Sequence, residues 1–258
     1  MKSFSLFLLD EGRKRFLKML CLIYKISKGV LIMEFMLDTA NIADIKKFAD
    51  MLPIAGVTSN PSIVKKEGKI DFFQHMKDIR GIIGDHRSLH VQVVATDYEG
   101  IIKDAETILA NIDQKVFIKI PVNEPGLKAI KELKRRGINV TATAIYTKFQ
   151  AYLAIAAGAD YIAPYFNRME NLNIDPRAAI FEMAEEIART NSETKILAAS
   201  FKNVGQVNAA LENGSQAATM GVDIIQQALA MPSIAQAVTD FTGDWEAIFG
   251  EGTTIADL

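Results

Sequence analysis

Lys119 lies in the run Val116-Phe117-Ile118-Lys119-Ile120-Pro121, otherwise free of charge. Such a run reads as a strand covered on both faces, where an ammonium is costly unless it is used. Burial disfavours the charged form of an amine and leaves a nucleophile that can condense with a carbonyl to a Schiff base. Alone, the same lysine reads equally well as one near a strand end whose ammonium reaches water along its stem. Asp38, in Leu37-Asp38-Thr39, reads alone as a cap before a helix. Beside a Schiff-base lysine it becomes a carboxylate suited to moving the proton of a sugar hydroxyl. Arg168 and Ser200, with Lys202, could hold a phosphate, although Arg168 alone reads equally as half of a surface ion pair. The chain has one cysteine, Cys21, and three histidines, His75, His86 and His90. That leaves no disulfide framework and no Cys-rich zinc site. A three-histidine metal centre or a Ser-His-Asp triad would need an improbable convergence. His86 and His90 flank a strand start and read as incidental, and the lone Trp245 reads as packing.

The elements that must position these residues alternate. Apolar runs at 35–37, 55–57, 89–95, 116–121, 139–144, 161–164, 196–199 and 217–220 predict eight strands. Helical periodicity fills segments between them, at 42–51, 101–112, 127–136, 148–157, 176–189 and 204–211. Asp175-Pro176 marks one helix start, and Gly137 and Gly158 mark helix ends. Eight strand-helix units in about 190 residues predict an α/β fold, a single (β/α)₈ TIM barrel. A doubly wound sheet is the runner-up, but there is no Gly-x-Gly-x-x-Gly after the first strand and no P-loop. Barrel active sites lie at the C-terminal strand ends. Read in order, those ends carry Asp38, Thr58-Ser59-Asn60, Gln92, Lys119, Thr141 and Thr143, Tyr165-Phe166-Asn167-Arg168 and Ser200-Phe201-Lys202. With Lys119 among so many polar strand ends, Schiff-base chemistry becomes the better reading.

Composition fits one barrel. The 258 residues are 49% hydrophobic and 23% charged with net charge −2, which excludes a disordered chain and gives no electrostatic footprint for nucleic acid. Residues 1–32 stand apart, with seven basic residues against Asp10 and Glu11, so +5, which leaves −7 for residues 33–258. The segment lacks the order of a secretory signal and the length of a spanning helix. It reads as an N-terminal extension, an upstream-start leader or disordered tail before Met33, with a basic amphipathic surface helix as the alternative.

Several motifs in order resemble one family. Leu37-Asp38-Thr39-Ala40, Gly56-Val57-Thr58-Ser59-Asn60-Pro61-Ser62, Lys119-Ile120-Pro121-Val122, Ala163-Pro164-Tyr165-Phe166-Asn167-Arg168 and Ala198-Ala199-Ser200-Phe201-Lys202 are similar to the small transaldolase family. The likeness runs from Met33 to the C-terminus and favours the fructose-6-phosphate aldolase branch. The resemblance implies a class I aldolase with Lys119 as Schiff-base lysine and Asp38 as acid/base at the C4 hydroxyl. It implies Asn60 and Ser200 as ligands of the donor's hydroxyls, Arg168 as phosphate anchor and Thr143 as a holder of the catalytic water. Thr58, Asn167 and Lys202 are the further substrate-binding candidates at the same mouth. No metal and no cofactor is implied. Transaldolases of this family carry Glu on strand three and Phe after strand six, whereas the aldolase branch carries Gln and Tyr, as Gln92 and Tyr165 do here. The expected reaction is cleavage and formation of fructose 6-phosphate from dihydroxyacetone and glyceraldehyde 3-phosphate in the cytoplasm. The alternatives are a transaldolase of the pentose phosphate pathway, a relative acting on another ketose phosphate or sulfonate, and a barrel that only binds sugar phosphates. After Arg168, Met169-Glu170-Asn171-Leu172-Asn173 replaces a Gly-rich stretch of the family.

One segment is extra to the barrel. Phe241, Trp245, Ile248 and Phe249 fall at i, i+4, i+7 and i+8, a helical stripe that predicts a C-terminal helix over 232–249 in need of a partner. The resemblance implies a homo-oligomer, a pentamer or a pair of pentamers exchanging this helix. No membrane partner is expected.

Overall fold

Hydrophobic period switches between two and 3.6 along the chain, and each switch marks an element. The computed structural model describes residues 33–258; the N-terminal extension 1–32, with Cys21, lies outside the described residues. In order the elements are β1 (Glu34–Asp38), α1 (Ile42–Met51), β2 (Gly56–Thr58), α2 (Pro61–Val64), α3 (Phe72–Ile83), β3 (Ser88–Gln92), α4 (Tyr98–Asn111), β4 (Phe117–Pro121) and α5 (Glu124–Arg135). Then come β5 (Val140–Ile145), α6 (Lys148–Ala156), β6 (Tyr161–Pro164), α7 (Phe166–Asn171), α8 (Pro176–Arg189), β7 (Lys195–Ala198), α9 (Val204–Glu212), β8 (Ala217–Met220), α10 (Val222–Leu229) and α11 (Pro232–Phe249). The strands pair in parallel in the order 1 to 8, and β8 returns to β1. The expected (β/α)₈ barrel with an extra C-terminal helix is what the chain forms.

Alternation within the strands divides the core. Outward residues such as Leu89, Val91, Ile118 and Ile120 pack with the helices, while Met36, Tyr161, Leu197 and Ala217 meet inside the barrel with Phe117 against them. Asp175 caps α8 ahead of Pro176, and Gly137 and Gly158 take positive φ after α5 and α6 as expected. Among the described residues no helix is long and apolar enough to cross a membrane.

Four local expectations change. Strand β3 stops at Gln92 rather than continuing to Ala95, because the N–H groups of Val94 and Ala95 both donate to Asp104 Oδ2 at 2.9 Å. Helix α3, capped by Asp71 and ended by Gly84, stands where no helix was expected. Asn41, not Asp38, caps α1, accepting from the Asp44 N–H at 3.1 Å. His90 does not flank the start of β3; it lies inside the strand with its ring fully buried.

Candidate active site

Lys119 projects from β4 into the C-terminal half of the barrel and is only 2% exposed. Its Nζ donates to the carbonyl oxygen of Ser59 at 3.4 Å. Among the described residues it forms no ion pair with a carboxylate. In register it is flanked by Gln92 on β3 and Thr141 on β5. The Gln92 side-chain oxygen is buried and, among the described residues, has no hydrogen-bond partner. A buried acceptor left open lacks the compensation such groups normally find, so it stands ready for a donor brought by substrate or water. A cavity of about 440 Å³ opens at this flank, lined by Ser59, Asn60, Gln92, Val64, Phe72 and Phe73 among others.

On one side stands Asp38 at the end of β1. Thr58 donates to its Oδ1 at 2.7 Å, and the Thr58 and Thr219 hydroxyl oxygens are also 2.7 Å apart. Since Thr58 spends its proton on the carboxylate, Thr219 is the donor of the second bond. The carboxylate is thereby held by a relay of neutral hydroxyls. Asn60 caps the short helix α2, its Oδ1 accepting from the Ile63 N–H at 3.0 Å, with Pro61 at the first helical position. Its amide NH₂ is the part left for a ligand.

On the other side the β5–β6 pairing slips between Ala142 and Ile145, and Ala144 takes φ +55°. A bulge of this kind re-aims the side chain beside it. Here Thr143 is turned to Tyr165, with the two hydroxyl oxygens 3.0 Å apart. Ser200 likewise sits at φ +64°, a conformation costing on the order of 1 kcal/mol for a non-glycine residue. The Ser200 carbonyl accepts from the Asn167 N–H at 3.0 Å, which locks the loops after β6 and β7 together.

The outer rim holds the phosphate candidates. Arg168 lies over the Tyr165 ring at 4.7 Å and donates to Tyr146 Oη at 3.0 Å. That phenol raises the guanidinium pKa, so Arg168 carries a fixed positive charge. Tyr146 in turn stands edge-on to Tyr165. Not every expected ligand is aimed inward. The Asn167 side-chain oxygen is taken by Gln206 at 3.0 Å, and the same Gln206 nitrogen donates to Glu170 at 2.6 Å. Lys202 is exposed, and its backbone N–H donates to the Gln206 side chain. The Met169–Glu170 stretch is therefore structural, with Met169 fully buried and Glu170 also accepting from Arg177.

The model of the transaldolase/fructose-6-phosphate aldolase family matches residues 35–254. The chain belongs to this family. A protein of Streptococcus pneumoniae (strain ATCC 700669 / Spain 23F-1) named probable fructose-6-phosphate aldolase is 58% identical over 216 residues, covering 84% of this chain and 97% of that relative. As a family member the chain is an enzyme of the aldolase and transaldolase type. Within that frame the structure adds residues that the strand-end reading passed over. Tyr146 follows β5 directly, so the strand-end rule reaches it. Thr219 lies on β8, for which no polar end was read. Ser59 is among the strand-end residues read, but it meets Lys119 through its backbone carbonyl, which no side-chain pattern reveals. His90 stands two residues before Gln92 on the same strand, so strand alternation puts both inside the barrel.

Proposed function

We propose that this enzyme is a class I aldolase that cleaves and forms fructose 6-phosphate from dihydroxyacetone and glyceraldehyde 3-phosphate through a Schiff base on Lys119. The observation that carries this reading is a buried lysine with a neutral carbonyl as its partner, set between a carboxylate and a phenol. The free amine adds to the C2 carbonyl of the ketose, and loss of water gives an iminium. That electron sink accepts the C3–C4 bonding pair as the Asp38 carboxylate takes the C4 hydroxyl proton. The aldose phosphate leaves, and a dihydroxyacetone enamine stays on Lys119. Tyr165, hydrogen-bonded to Thr143, returns a proton to the enamine carbon, and water then releases dihydroxyacetone. Asn60 and Ser200 hold donor hydroxyls, with Thr58 acting through Asp38. Arg168 takes the phosphate, and Gln92 orients the water.

A phenol at Tyr165 and an amide at Gln92 favour release over transfer, because the phenol can exchange a proton and the amide cannot. Sodium borohydride added with fructose 6-phosphate should fix a covalent adduct on Lys119, and dihydroxyacetone should appear without any acceptor aldehyde. A protein that only binds sugar phosphates would give no adduct, and a transaldolase would need the acceptor for turnover. A cytoplasmic setting goes with a charged sugar phosphate, which does not cross a bilayer unaided.

We also propose a homo-oligomer, in rings of five. Helix α11 has no buried residue, and Phe241 and Ile248 on it are 72% and 75% exposed. An apolar stripe this open is satisfied by another copy. Light scattering that finds a monomer at micromolar concentration would reject the ring.

A further inference from the structure

Beneath the Lys119 layer the barrel encloses an ionisable side chain that the reaction above does not use. His90 has no exposed surface. Its ring stacks on Phe117 at 4.7 Å with 16° between the planes and meets the edge of Tyr161 at 5.3 Å. Phe117 and Lys119 are both on β4, two residues apart, so the imidazole occupies the lumen immediately below the lysine's level. Nδ1 is 2.7 Å from Thr141 Oγ1, and Nε2 is 2.9 Å from Ser88 Oγ. Gly56 makes room for this arrangement, since a Cβ there would lie 2.1 Å from Ser88 Oγ.

The direction of both bonds depends on the ring tautomer. Ser88 has a single hydroxyl proton, for which Ala55 O at 3.3 Å, Met36 Sδ at 3.7 Å and His90 Nε2 at 2.9 Å are alternative acceptors. In the Nε2–H tautomer that proton goes to Ala55 or Met36, and Ser88 Oγ accepts from the ring. Burial above all lowers the His90 pKa to about 3 and keeps the ring neutral. A neutral ring protonated at Nε2 has Nδ1 as an acceptor, and its donor is the Thr141 hydroxyl. Thr141 is the cross-strand neighbour of Lys119. With its proton committed to His90, Thr141 turns only lone pairs to the level above. A second link runs through the backbone. The His90 carbonyl accepts from the Ser59 N–H at 3.1 Å, and the Ser59 carbonyl accepts from Lys119.

We propose that His90 carries its hydrogen on Nε2 and is a positioning residue for Lys119: its Nδ1 takes up the Thr141 hydroxyl proton and so keeps that proton off the amine. A neutral amine has two N–H bonds and one lone pair. The Ser59 carbonyl takes one N–H bond, and Thr141, with its proton held by His90, offers none to the lone pair, which stays free for the arriving carbonyl. Were Thr141 free to turn, its hydroxyl could donate to that lone pair and mask the nucleophile. The inference rests on the Schiff-base reading of Lys119.

The test is the single-turnover rate of borohydride-trapped adduct with fructose 6-phosphate in wild-type enzyme and variants. His90→Leu removes the acceptor and should slow adduct formation about tenfold, the worth of one well-placed hydrogen bond, with substrate affinity unchanged. His90→Asn presents an oxygen close to the Nδ1 position and should restore the rate to within about threefold. In a Thr141→Val background, where no hydroxyl can turn, His90→Leu should have no further effect. Nitrogen-15 NMR of the labelled enzyme should show the Nε2–H tautomer, a signature that packing alone does not require. An Nδ1–H tautomer would overturn the proposal, as would wild-type rates in His90→Leu or equal slowing in His90→Asn. If His90→Leu does not fold, the tautomer and the His90→Asn rate still decide. A wild-type enzyme that forms no adduct would overturn the Schiff-base reading itself, and this inference with it.

Discussion

At the N-terminal end of the barrel lumen Lys195, Glu34 and Tyr161 meet; at the C-terminal end Lys119, Asp38 and Tyr165 each have a different partner. Glu34 pairs with Lys195 and accepts from the Tyr161 phenol at 2.7 Å. Burial first, and then the bond to Glu34, pushes the Tyr161 pKa upward and keeps the phenol a fixed donor. Every polar group in this lower cluster already has its partner, so none is left to react. At the upper end each group is held by a neutral neighbour instead, Lys119 by a carbonyl, Asp38 by Thr58 and Tyr165 by Thr143. The two ends share residue types and differ in how those residues are partnered. A lysine beside a carboxylate is held as an ammonium, whereas one beside neutral acceptors in a closed chamber can be a nucleophile.

The two lysines separate most widely. Lys119→Met should leave a folded protein whose turnover is at least about 10⁴-fold lower, since no other group can form the iminium. Lys195→Met should keep activity within about threefold and cost about 1 kcal/mol of stability, as for a partly exposed ion pair. Steady-state rates and denaturant midpoints of both variants read the contrast directly. Measurable cleavage of fructose 6-phosphate by Lys119→Met would erase it.

The carboxylates should follow at smaller amplitude. Asp38→Asn keeps the Thr58 contact but cannot take the C4 proton, so kcat should fall by about 10² to 10³. Glu34→Gln should leave kcat unchanged and lower stability by about 1–2 kcal/mol, because the amide still accepts one bond but no longer balances Lys195. A loss of kcat in Glu34→Gln as large as in Asp38→Asn would mean that the two ends are not independent.

Most of this lumen was legible in the sequence because strand alternation and the strand-end rule are both local. Strands β6 and β8 and helices α1, α8 and α11 fall on the expected residues, each with a clear apolar period or a capping signal. What was hidden depends on partners distant in the chain. Asp104 ends β3 from ten residues away. Gln206 takes up Asn167 from 39 residues away. His90 reads as incidental because its partner Thr141 lies 51 residues on. The unexpected α3 is a different case, since Asp71, Met76, Ile79, Ile83 and Gly84 carry an ordinary cap, stripe and stop and could have been read.

The two phenols offer a finer contrast. Tyr165→Phe removes the group proposed to return the proton to the enamine, so hydrolysis should slow more than the first cleavage. The longer-lived enamine would then meet added aldehyde more often, and the ratio of dihydroxyacetone release to transfer should fall about tenfold. Adding Gln92→Glu supplies a proton-exchanging group and should raise transfer further. Tyr161→Phe deletes the same hydroxyl at the lower end and should leave the ratio untouched. An unchanged ratio in Tyr165→Phe would remove the physical basis for preferring aldolase over transaldolase.

The smallest effect lies between the two ends and is read in stability. Folded His90 takes no proton until the pH approaches about 3, whereas in the unfolded chain it takes one near its ordinary 6.5. Between these values the unfolded state binds more protons than the folded state, so stability rises with pH. The contribution is complete above about pH 6.5 and is lost as pH falls, by about 1 kcal/mol per pH unit. The interval from pH 6.5 to 5 isolates it. Lower down, carboxylates whose folded-state pKa is depressed, such as Glu132 by Arg135 and Arg136, begin to contribute a loss of the same sign. His90→Asn removes the ionisable group while keeping an acceptor for Thr141, so its stability should be flatter than that of the wild type across that interval. Denaturant midpoints at four or five pH values would show it. Equal slopes in the two proteins would mean that water reaches the imidazole, and the lumen below Lys119 would then not be the closed, neutral floor that the chemistry above it requires.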